Sequence, residues 1–298
     1  MKSSDIKTIA VIGAGQMGGG IAQVCAERGF QVLLSDADLE RAQKGKARIE
    51  KVLGKLVDKG RIEARVRDEA LANITPVGPN ERMSEADLVI EAATEDSDLK
   101  IEIFRAADRA MRKDAILASN TSSISITRLA GQTQRPSQVI GMHFMNPVPL
   151  MKLVEIVHGV QTSEETTTAI RELAETLGKT VIKSKDQPGF VVNRMLVPFL
   201  NEACFALQEG LGTPEDIDQG AKLGLNHPMG PLELADLIGL DTLLFIAQVL
   251  HREFGDDKYR PATLLRNLVA AGWYGRKVGR GFYVYDDKGK KVGRAFER

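Results

Sequence analysis

The feature that most constrains this chain is a glycine-rich turn near its start. Gly13, Gly15 and Gly18 have the spacing G-x-G-x-x-G and stand between an apolar run at 9–12 and a predicted helix at 21–28. A turn that joins a strand to a helix in this way presents unpaired N–H groups and the positive end of the helix dipole to an anion. The spacing therefore predicts a turn that binds the phosphates of a dinucleotide.

Asp36 supplies the second part of this pattern, because it follows the next apolar run at 31–35. A carboxylate in that position accepts hydrogen bonds from the ribose hydroxyls of adenosine and repels a 2′-phosphate. The pattern therefore predicts NAD as the cofactor rather than NADP. The alternative is a glycine turn without a ligand, with Asp36 serving as a helix cap.

Short apolar runs alternate with amphipathic segments through the first 185 residues, which is typical of a parallel sheet covered by helices on both faces. We predict an α/β fold, a Rossmann-type, doubly wound and mostly parallel sheet. Its predicted strands are 8–12, 31–35, 74–77, 88–92, 115–118, 139–143, 153–157 and 180–182. A helix between the last two strands is predicted to begin near Ser163 and to end near Gly178.

The periodicity becomes helical after the segment 185–189, whose Pro188 and Gly189 favour a break between domains. Amphipathic stretches follow at 190–209, 214–223, 231–250 and 262–271. We therefore predict an NAD-binding domain at 1–185 and an all-α domain at 186–298 that binds substrate and forms a homodimer. The apolar residues of 232–250 exceed what so small a helical unit needs for its own core, which favours a dimer interface.

Bulk charge excludes some partners, because 40 basic residues balance 40 acidic ones and attract neither nucleic acid nor an anionic membrane. The uncharged stretch 8–26 contains five glycines and makes a poor membrane span. Cys25 and Cys204 stand alone in apolar helical contexts, which predicts buried thiols, no disulfide framework and no zinc site. We expect a cytoplasmic protein without a metal.

Two polar residues interrupt neighbouring apolar strands. His143 ends the run 139–143, at the carboxyl end of a strand, where open α/β sheets bind their ligands. Glu155 lies between apolar neighbours in 153–157, and a buried carboxylate needs a partner such as an imidazolium. The two residues fit an acid–base pair, and the alternatives are a core histidine with satisfied hydrogen bonds and a carboxylate on a solvated strand edge.

Five polar residues, Ser119 to Ser123, follow the strand at 115–118, again at a carboxyl end. Their hydroxyls fit either hydrogen bonds to a substrate or nicotinamide, or a cap of the next helix at 124–129. Asn193 lies on an apolar helix face, which predicts a buried and hydrogen-bonded amide. Its role is either structural or in substrate binding.

A basic helix face runs through the region 44–59. Its members are Lys44, Arg48, Lys51, Lys55 and Lys59. The opposite apolar stripe consists of Ile49, Val52, Leu53 and Leu56. Such a face is either simply solvated or a site for a phosphorylated ligand. Nucleic acid fits less well, because no aromatic residue interleaves with these charges.

Taken in order, several motifs resemble the 3-hydroxyacyl-CoA dehydrogenase family over nearly the whole chain. They are GAGQMG at 13–18, SNTS at 119–122, HFMNPVP at 143–149, LVEIV at 153–157, PGFVVNR at 188–194, DLIGLD at 236–241 and GWYGRK at 272–277. The resemblance implies an NAD-dependent oxidoreductase that interconverts (S)-3-hydroxyacyl-CoA and 3-oxoacyl-CoA by hydride transfer. It also implies a short-chain substrate such as 3-hydroxybutyryl-CoA.

The resemblance implies roles for individual residues through these motifs. His143 is the expected general base, Glu155 its orienting partner, and neutral imidazole suits the removal of a hydroxyl proton. Ser122 and Asn193 are expected to hold the substrate oxygen. The expected cofactor contacts are Gly13, Gly15, Gln16, Met17, Gly18, Asp36, Glu95, Lys100, Asn120, Ser122 and Asn146. The expected contacts to the acyl-CoA substrate on the basic helix face are Lys55 and Lys59.

Two other functions remain open on sequence grounds. The first is a dehydrogenase of the same fold for a non-CoA hydroxy compound, of the carnitine or gulonate type. The second is a non-catalytic dinucleotide-binding or structural protein. The buried acid and base disfavour the second, because a binding module needs neither of them.

Overall fold

The chain divides into two compact units, Met1–Phe190 and Val191–Arg298. The structure, a computed structural model, describes residues 1–295. The division follows Phe190, whereas the sequence analysis placed a domain boundary after residue 185. Each unit is described by itself.

An eight-stranded sheet forms the centre of the first unit, within residues 1–190. Its strands are β1 (Thr8–Ile12), β2 (Gln31–Ser35), β3 (Ile74–Val77), β4 (Leu88–Glu91), β5 (Ile116–Ser119), β6 (Val139–Phe144), β7 (Leu153–His158) and β8 (Thr180–Lys185). Their order is β3-β2-β1-β4-β5-β6-β7-β8, and β6 and β7 form the antiparallel pair among otherwise parallel neighbours. The order of the first six strands is that of a Rossmann fold, so the predicted fold class is confirmed.

Helices pack against this sheet. They are α1 (Gln16–Glu27), α2 (Leu39–Asp58), α3 (Ala64–Ala72), α4 (Ser97–Ala110), α5 (Ile126–Ala130) and α6 (Glu164–Thr176). Helix α1 begins at Gln16, earlier than the predicted start at residue 21, although glycine is a poor helix former. Close packing explains the glycine at position 20, because a Cβ there would lie 2.9 Å from the Cβ of Val148.

Strands β4 and β5 are buried at every position, as expected for strands covered on both faces. Most of their residues are apolar, which gives the continuous apolar runs seen in the sequence. Two polar residues, Glu91 and Ser119, occupy the last positions of these strands. They mark the carboxyl edge of the sheet, where the candidate site lies.

The described part of the second unit is mainly helical. Its helices are α7 (Val192–Gln208), α8 (Pro214–Gln219), α9 (Pro231–Ile238), α10 (Leu240–Phe254) and α11 (Thr263–Ala270). The single helix predicted at 231–250 is wrong, because Gly239 has φ +104° and separates α9 from α10. The prediction of an all-α domain is also wrong in one detail: β9 (Tyr283–Tyr285) and β10 (Lys291–Arg294) form a hairpin. These strands are too short for their periodicity to show in the sequence.

Asp236 of α9 anchors this hairpin from within the core. Its carboxylate is fully buried and accepts hydrogen bonds from the N–H groups of Phe282 (2.9 Å) and Tyr283 (3.0 Å) and from the Tyr285 hydroxyl (3.0 Å). Burial raises the pKa of the Asp236 carboxyl to about 6, although these hydrogen bonds act in the opposite direction. A Cβ on Gly281 would collide with the carboxylate, so the hairpin can approach it only at a glycine.

The two thiols, Cys25 and Cys204, are buried and unpaired, as predicted. Burial raises the pKa of the Cys25 thiol to about 12 and also raises that of Cys204. Of the helices in residues 1–295, none is by itself long and apolar enough to cross a membrane. Helices α9 and α10 meet that criterion only when joined across a bend of 97°.

Candidate active site

The glycine turn has the form that its spacing predicts. Gly13 has φ +103°, and a Cβ there would lie 2.6 Å from the carbonyl oxygen of Ala92. A Cβ on Gly18 would overlap the carbonyl oxygen of Gly13, so glycine allows α1 to pack closely on the turn. Gly15 is the N-cap of α1, and among the described residues no atom lies within 4 Å of the place its Cβ would take. The turn therefore leaves open space at a helix N-terminus, which fits the diphosphate of NAD.

A cleft of about 370 Å³ opens beside the turn. Gly13, Gly15, Asp36, Arg41 and Asn80 are among the residues that line it. A volume of this size is in the range of small-molecule sites. The cleft joins the glycine turn to Asp36, the carboxylate expected at the adenosine ribose.

Asp36 braces the glycine turn as well as lining the cleft. Its Oδ2 accepts a hydrogen bond from the N–H of Ala14 at 2.6 Å, and its Oδ1 accepts one from Ala37 at 2.8 Å. The alternative role as a helix cap is wrong, because Asp38 is the N-cap of α2 and accepts from the N–H of Arg41. Each carboxylate oxygen has more than one lone pair, so Asp36 retains capacity to accept ribose hydroxyls.

The antiparallel register of β6 and β7 places His143 directly opposite Glu155. The Nδ1 atom of His143 lies 2.7 Å from the Oε2 atom of Glu155. Glu155 is fully buried, so it does not lie on a solvated edge, and His143 is only 7% exposed. With Nδ1 held by a carboxylate, Nε2 is the ring nitrogen that can exchange a proton with a ligand. The pair lies on the carboxyl edge of the parallel strands, the same edge that carries the glycine turn.

The segment 119–123 folds around the carboxylate of Glu95. Its Oε1 accepts hydrogen bonds from the N–H groups of Ser122 (2.8 Å) and Ser123 (3.0 Å) and from the hydroxyls of Thr121 (2.6 Å), Ser122 (3.1 Å) and Ser123 (3.0 Å). Burial would raise the pKa of Glu95, but the Lys100 ammonium and these hydrogen bonds outweigh it and hold the pKa below its usual value. Glu95 therefore holds Ser122 in place as an ionised group.

We expect Glu95→Gln to lower the free energy of unfolding at neutral pH, with a difference from wild type that shrinks in acid. A carboxyl whose pKa is lowered by folding stabilises the folded state above its unfolded pKa, here about 4.5. That contribution is lost as the pH falls through the folded pKa. Urea unfolding followed by circular dichroism between about pH 7 and about pH 3 measures the difference, with the exposed Glu102→Gln on α4 as control. A difference that stays constant with pH would contradict this role.

Glu91 is a buried charged residue beside the candidate site that the sequence pattern did not single out. Its Oε1 lies 2.6 Å from the ammonium of Lys100, and its Oε2 accepts a hydrogen bond from the Ser119 hydroxyl at 2.6 Å. The Lys100 ammonium also lies 3.4 Å from Glu95, so this expected cofactor contact is placed between two carboxylates. Glu91 is fully buried and Lys100 is 1% exposed. The available signal was a charge within the apolar run 88–92, as the signal for Glu155 was a charge within 153–157.

The side chains of two expected cofactor contacts tie neighbouring segments together. The Oδ1 atom of Asn120 accepts the N–H of Phe144 at 2.9 Å, which joins the segment after β5 to the end of β6. The Oδ1 atom of Asn146 accepts a hydrogen bond from Nε2 of Gln16 at 3.0 Å, which joins the loop after β6 to the start of α1. Met17 is half-buried and packs against the core of the first unit. The structure thus brings Gln16 and Asn146 together beside the glycine turn.

The residues on the basic face of α2 differ in whether they make hydrogen bonds within the protein. Lys55 and Lys59 are exposed near the end of the helix. Arg48, by contrast, donates from Nη2 to the carbonyl oxygen of Ala14 at 2.6 Å and so braces the glycine turn. The predicted apolar stripe is wrong at Val52, which is 46% exposed because it stands at the margin of the buried face.

Asn193 belongs to the second unit, in the first turn of α7. It is half-buried, whereas the sequence analysis predicted a buried amide. The apolar face used for that prediction is incomplete, because Phe190 precedes the helix and Leu196 is only half-buried. The neighbouring Arg194 is held by its own unit, with its guanidinium 3.9 Å from the ring centre of Phe254.

Comparison with known proteins gives consistent matches over both units. The model for the NAD binding domain of 3-hydroxyacyl-CoA dehydrogenase matches residues 8–187, and the model for the C-terminal domain of 3-hydroxyacyl-CoA dehydrogenase matches residues 189–285. A probable 3-hydroxybutyryl-CoA dehydrogenase of Bacillus subtilis is 52% identical over 287 residues, which cover 95% of this chain and 99% of the relative. The 3-hydroxybutyryl-CoA dehydrogenase of Bradyrhizobium diazoefficiens is 51% identical over 280 residues, which cover 94% and 96%.

A solved structure shows the same similarity in three dimensions. The crystal structure of (S)-3-hydroxybutyryl-CoA dehydrogenase from Ralstonia eutropha superimposes with a TM-score of 0.91. The two sequences are 51% identical, and the match covers 95% of this chain and 100% of the Ralstonia eutropha chain. Sequence and fold therefore agree over nearly the whole length.

Proposed function

This chain belongs to the 3-hydroxyacyl-CoA dehydrogenase family, and from that premise we propose that it interconverts (S)-3-hydroxybutyryl-CoA and acetoacetyl-CoA with His143 as the acid–base group. It is an NAD-dependent dehydrogenase. The observation that carries the proposal is the buried pair of His143 and Glu155 on the same sheet edge as the glycine turn. The names of the relatives support the substrate.

Proton transfer follows from the geometry of this pair. Bound NAD would supply, at C4 of its nicotinamide, the hydride acceptor for the carbon that bears the substrate hydroxyl. His143 takes the hydroxyl proton on Nε2, because Nδ1 is engaged with Glu155. Glu155 keeps the ring in the required tautomer and stabilises the imidazolium that forms. In the reverse direction, His143 returns the proton to the carbonyl oxygen.

Ser122 and Asn193 are proposed to hold the substrate oxygen. Support for Ser122 comes from Glu95, whose carboxylate accepts a hydrogen bond from the Ser122 N–H and so fixes its backbone. The Ser122 hydroxyl also donates to Glu95 at 3.1 Å, and a substrate oxygen can replace this acceptor. Support for Asn193 comes from the family motif at 188–194. Gln16, Glu95, Asn120, Ser122 and Asn146 are proposed to line the nicotinamide half of the cofactor site, and Lys100 to act there through Glu95.

We expect Asp36→Ala to weaken NADH use and to narrow the preference over NADPH. The substitution removes both an acceptor for the ribose hydroxyls and the charge that repels a 2′-phosphate. Asp36→Asn keeps an acceptor for the N–H of Ala14 and isolates the effect of charge. Values of kcat/KM for both cofactors measure the change, and Glu40→Ala, which removes an exposed carboxylate in the first turn of α2, is the matched control. A wild-type enzyme that prefers NADPH would refute the assignment.

Lys59, with Lys55, is proposed to contact the phosphates of CoA, on the support of their exposure and charge. We expect Lys59→Ala to raise KM for acetoacetyl-CoA and to reduce its dependence on salt, with kcat nearly unchanged. A remote phosphate contact contributes similarly in the ground and transition states. Lys44→Ala, on the same helix and paired with Glu40, is the control. An unchanged KM would show that Lys59 is simply solvated and does not contact the substrate.

The substrate is tested by following NADH absorbance with several compounds in parallel. Acetoacetyl-CoA should give the highest kcat/KM, ahead of longer 3-oxoacyl-CoA thioesters. The oxidised forms of carnitine and gulonate serve as non-CoA substrates. A higher kcat/KM for either of these would favour a non-CoA dehydrogenase, and no turnover with any compound would favour a non-catalytic protein.

The proposal includes a cytoplasmic homodimer formed through the second unit. The segment 232–250, on which the sequence analysis based a dimer, is largely buried within its own unit. Support comes instead from other exposed apolar side chains, among them Met195 (64%), Leu211 (81%) and Leu223 (82%). Light scattering should give twice the chain mass of 32.5 kDa, and a value equal to the chain mass would exclude the dimer.

A further inference from the structure

Phe190 has a backbone conformation that bulky residues rarely adopt. Its φ is +49°, in the left-handed region, and it follows Gly189 with φ +76°. A non-glycine residue there is disfavoured because its Cβ crowds the backbone, and such strain persists only where the surroundings impose it. The segment is anchored at its start by Asp186, whose carboxylate accepts the N–H groups of Ile126 and Thr127. The N–H of Phe190 itself donates to the carbonyl oxygen of Gln187 at 2.9 Å.

The ring of Phe190 covers the imidazole of His143. The two ring centres are 5.7 Å apart with an angle of 62° between the planes, which is an edge-to-face contact. Phe190 is 4% exposed and belongs to a core cluster of the first unit that also contains Phe104 and Val157. Glu155 holds the imidazole at Nδ1, and Phe190 packs against the ring itself.

We propose that Phe190 is a positioning residue for the reaction, which holds the His143 imidazole in the orientation that directs Nε2 to the substrate oxygen. The hydrogen bond at Nδ1 fixes one atom of the His143 imidazole, but the plane of the ring can still tilt. The contact with the Phe190 ring restricts this tilt. The unfavourable backbone conformation of Phe190 is then explained, because it brings the phenyl ring against the imidazole of His143. This inference rests on the proposed role of His143.

The test compares Phe190→Ala with Phe190→Gly in the full-length enzyme. Both variants remove the ring, but glycine also relieves the left-handed backbone, so Phe190→Gly should have the higher Tm. If Phe190 positions His143, kcat for acetoacetyl-CoA reduction should fall about tenfold or more in both variants alike. The KM for NADH should change little, and the isotope effect with NADH deuterated at the transferred hydrogen should increase as the chemical step becomes slower.

The matched control is Phe104→Ala, which removes a buried ring from the same core cluster. It should lose stability and keep its kcat. If Phe190→Gly regains the activity that Phe190→Ala loses, or if both keep wild-type kcat, the positioning role is overturned. His143→Ala separates this failure from that of the proposed base: an inactive His143→Ala beside fully active Phe190 variants refutes only Phe190, whereas an active His143→Ala refutes both.

Discussion

We expect His143→Ala to lower kcat for acetoacetyl-CoA reduction by roughly 10²- to 10⁴-fold, the usual contribution of a positioned acid–base group. NADH binding should be nearly unchanged, because the glycine turn and Asp36 belong to the ends of β1 and β2 and do not depend on this imidazole. Turnover is measured by NADH absorbance, and binding by titration of NADH fluorescence.

His158→Ala is the control for this variant. His158 ends β7, the strand that carries Glu155, and the substitution removes the same side chain at the other end of that strand. It should keep wild-type kcat. Turnover within about tenfold of wild type in a folded, NADH-binding His143→Ala enzyme would exclude His143 as the base.

Lys100→Met should lower the free energy of unfolding by about 3–5 kcal/mol, because it leaves the carboxylate of Glu91 buried without its cation. The pair is inaccessible to solvent at both ends, with Lys100 1% and Glu91 0% exposed. Glu91 keeps the hydrogen bonds from Ser119 and from the N–H of Ala93, which cannot replace a full charge. Urea unfolding followed by circular dichroism measures the loss.

The double variant Lys100→Met with Glu91→Gln tests the cause of this loss. Removing the orphaned charge should recover part of the stability, since the penalty comes from an unpaired buried ion rather than from lost packing. Trp273 and all four tyrosines lie after residue 258, so their fluorescence reports the unfolding of the second unit. That signal is an internal reference for the loss of stability in the first unit. A loss below about 1 kcal/mol in Lys100→Met would show that Glu91 tolerates the change.

Local patterns predicted the form of the glycine turn and the position of Asp36 beside it. The glycine turn and Asp36 are adjacent parts of one strand–turn–helix–strand unit, so spacing alone places them together. His143 and Glu155 were separately recognisable as polar residues in apolar strands. Their contact depends on the antiparallel register of β6 and β7, which no local signal specifies.

Other features depend on tertiary packing and were not predictable. Lys100 has an ordinary place on an amphipathic helix, and only the fold shows that its ammonium lies between Glu91 and Glu95. Phe190 looks like one more apolar residue, because its left-handed backbone and its contact with His143 leave no trace in composition or periodicity. The break at Gly239 was missed because apolar residues continue on both sides of it.

The pH dependence of kcat/KM in both directions is the most direct test of His143 as the acid–base group. If His143 exchanges the proton, oxidation of (S)-3-hydroxybutyryl-CoA should rise with pH and then level off, because the base must start neutral. Reduction of acetoacetyl-CoA should be level and then fall with a break of its own, because the acid must start protonated. Both breaks should be absent in the residual activity of His143→Ala. A break that persists unchanged in His143→Ala would contradict this role of His143, because another group would then be carrying the proton.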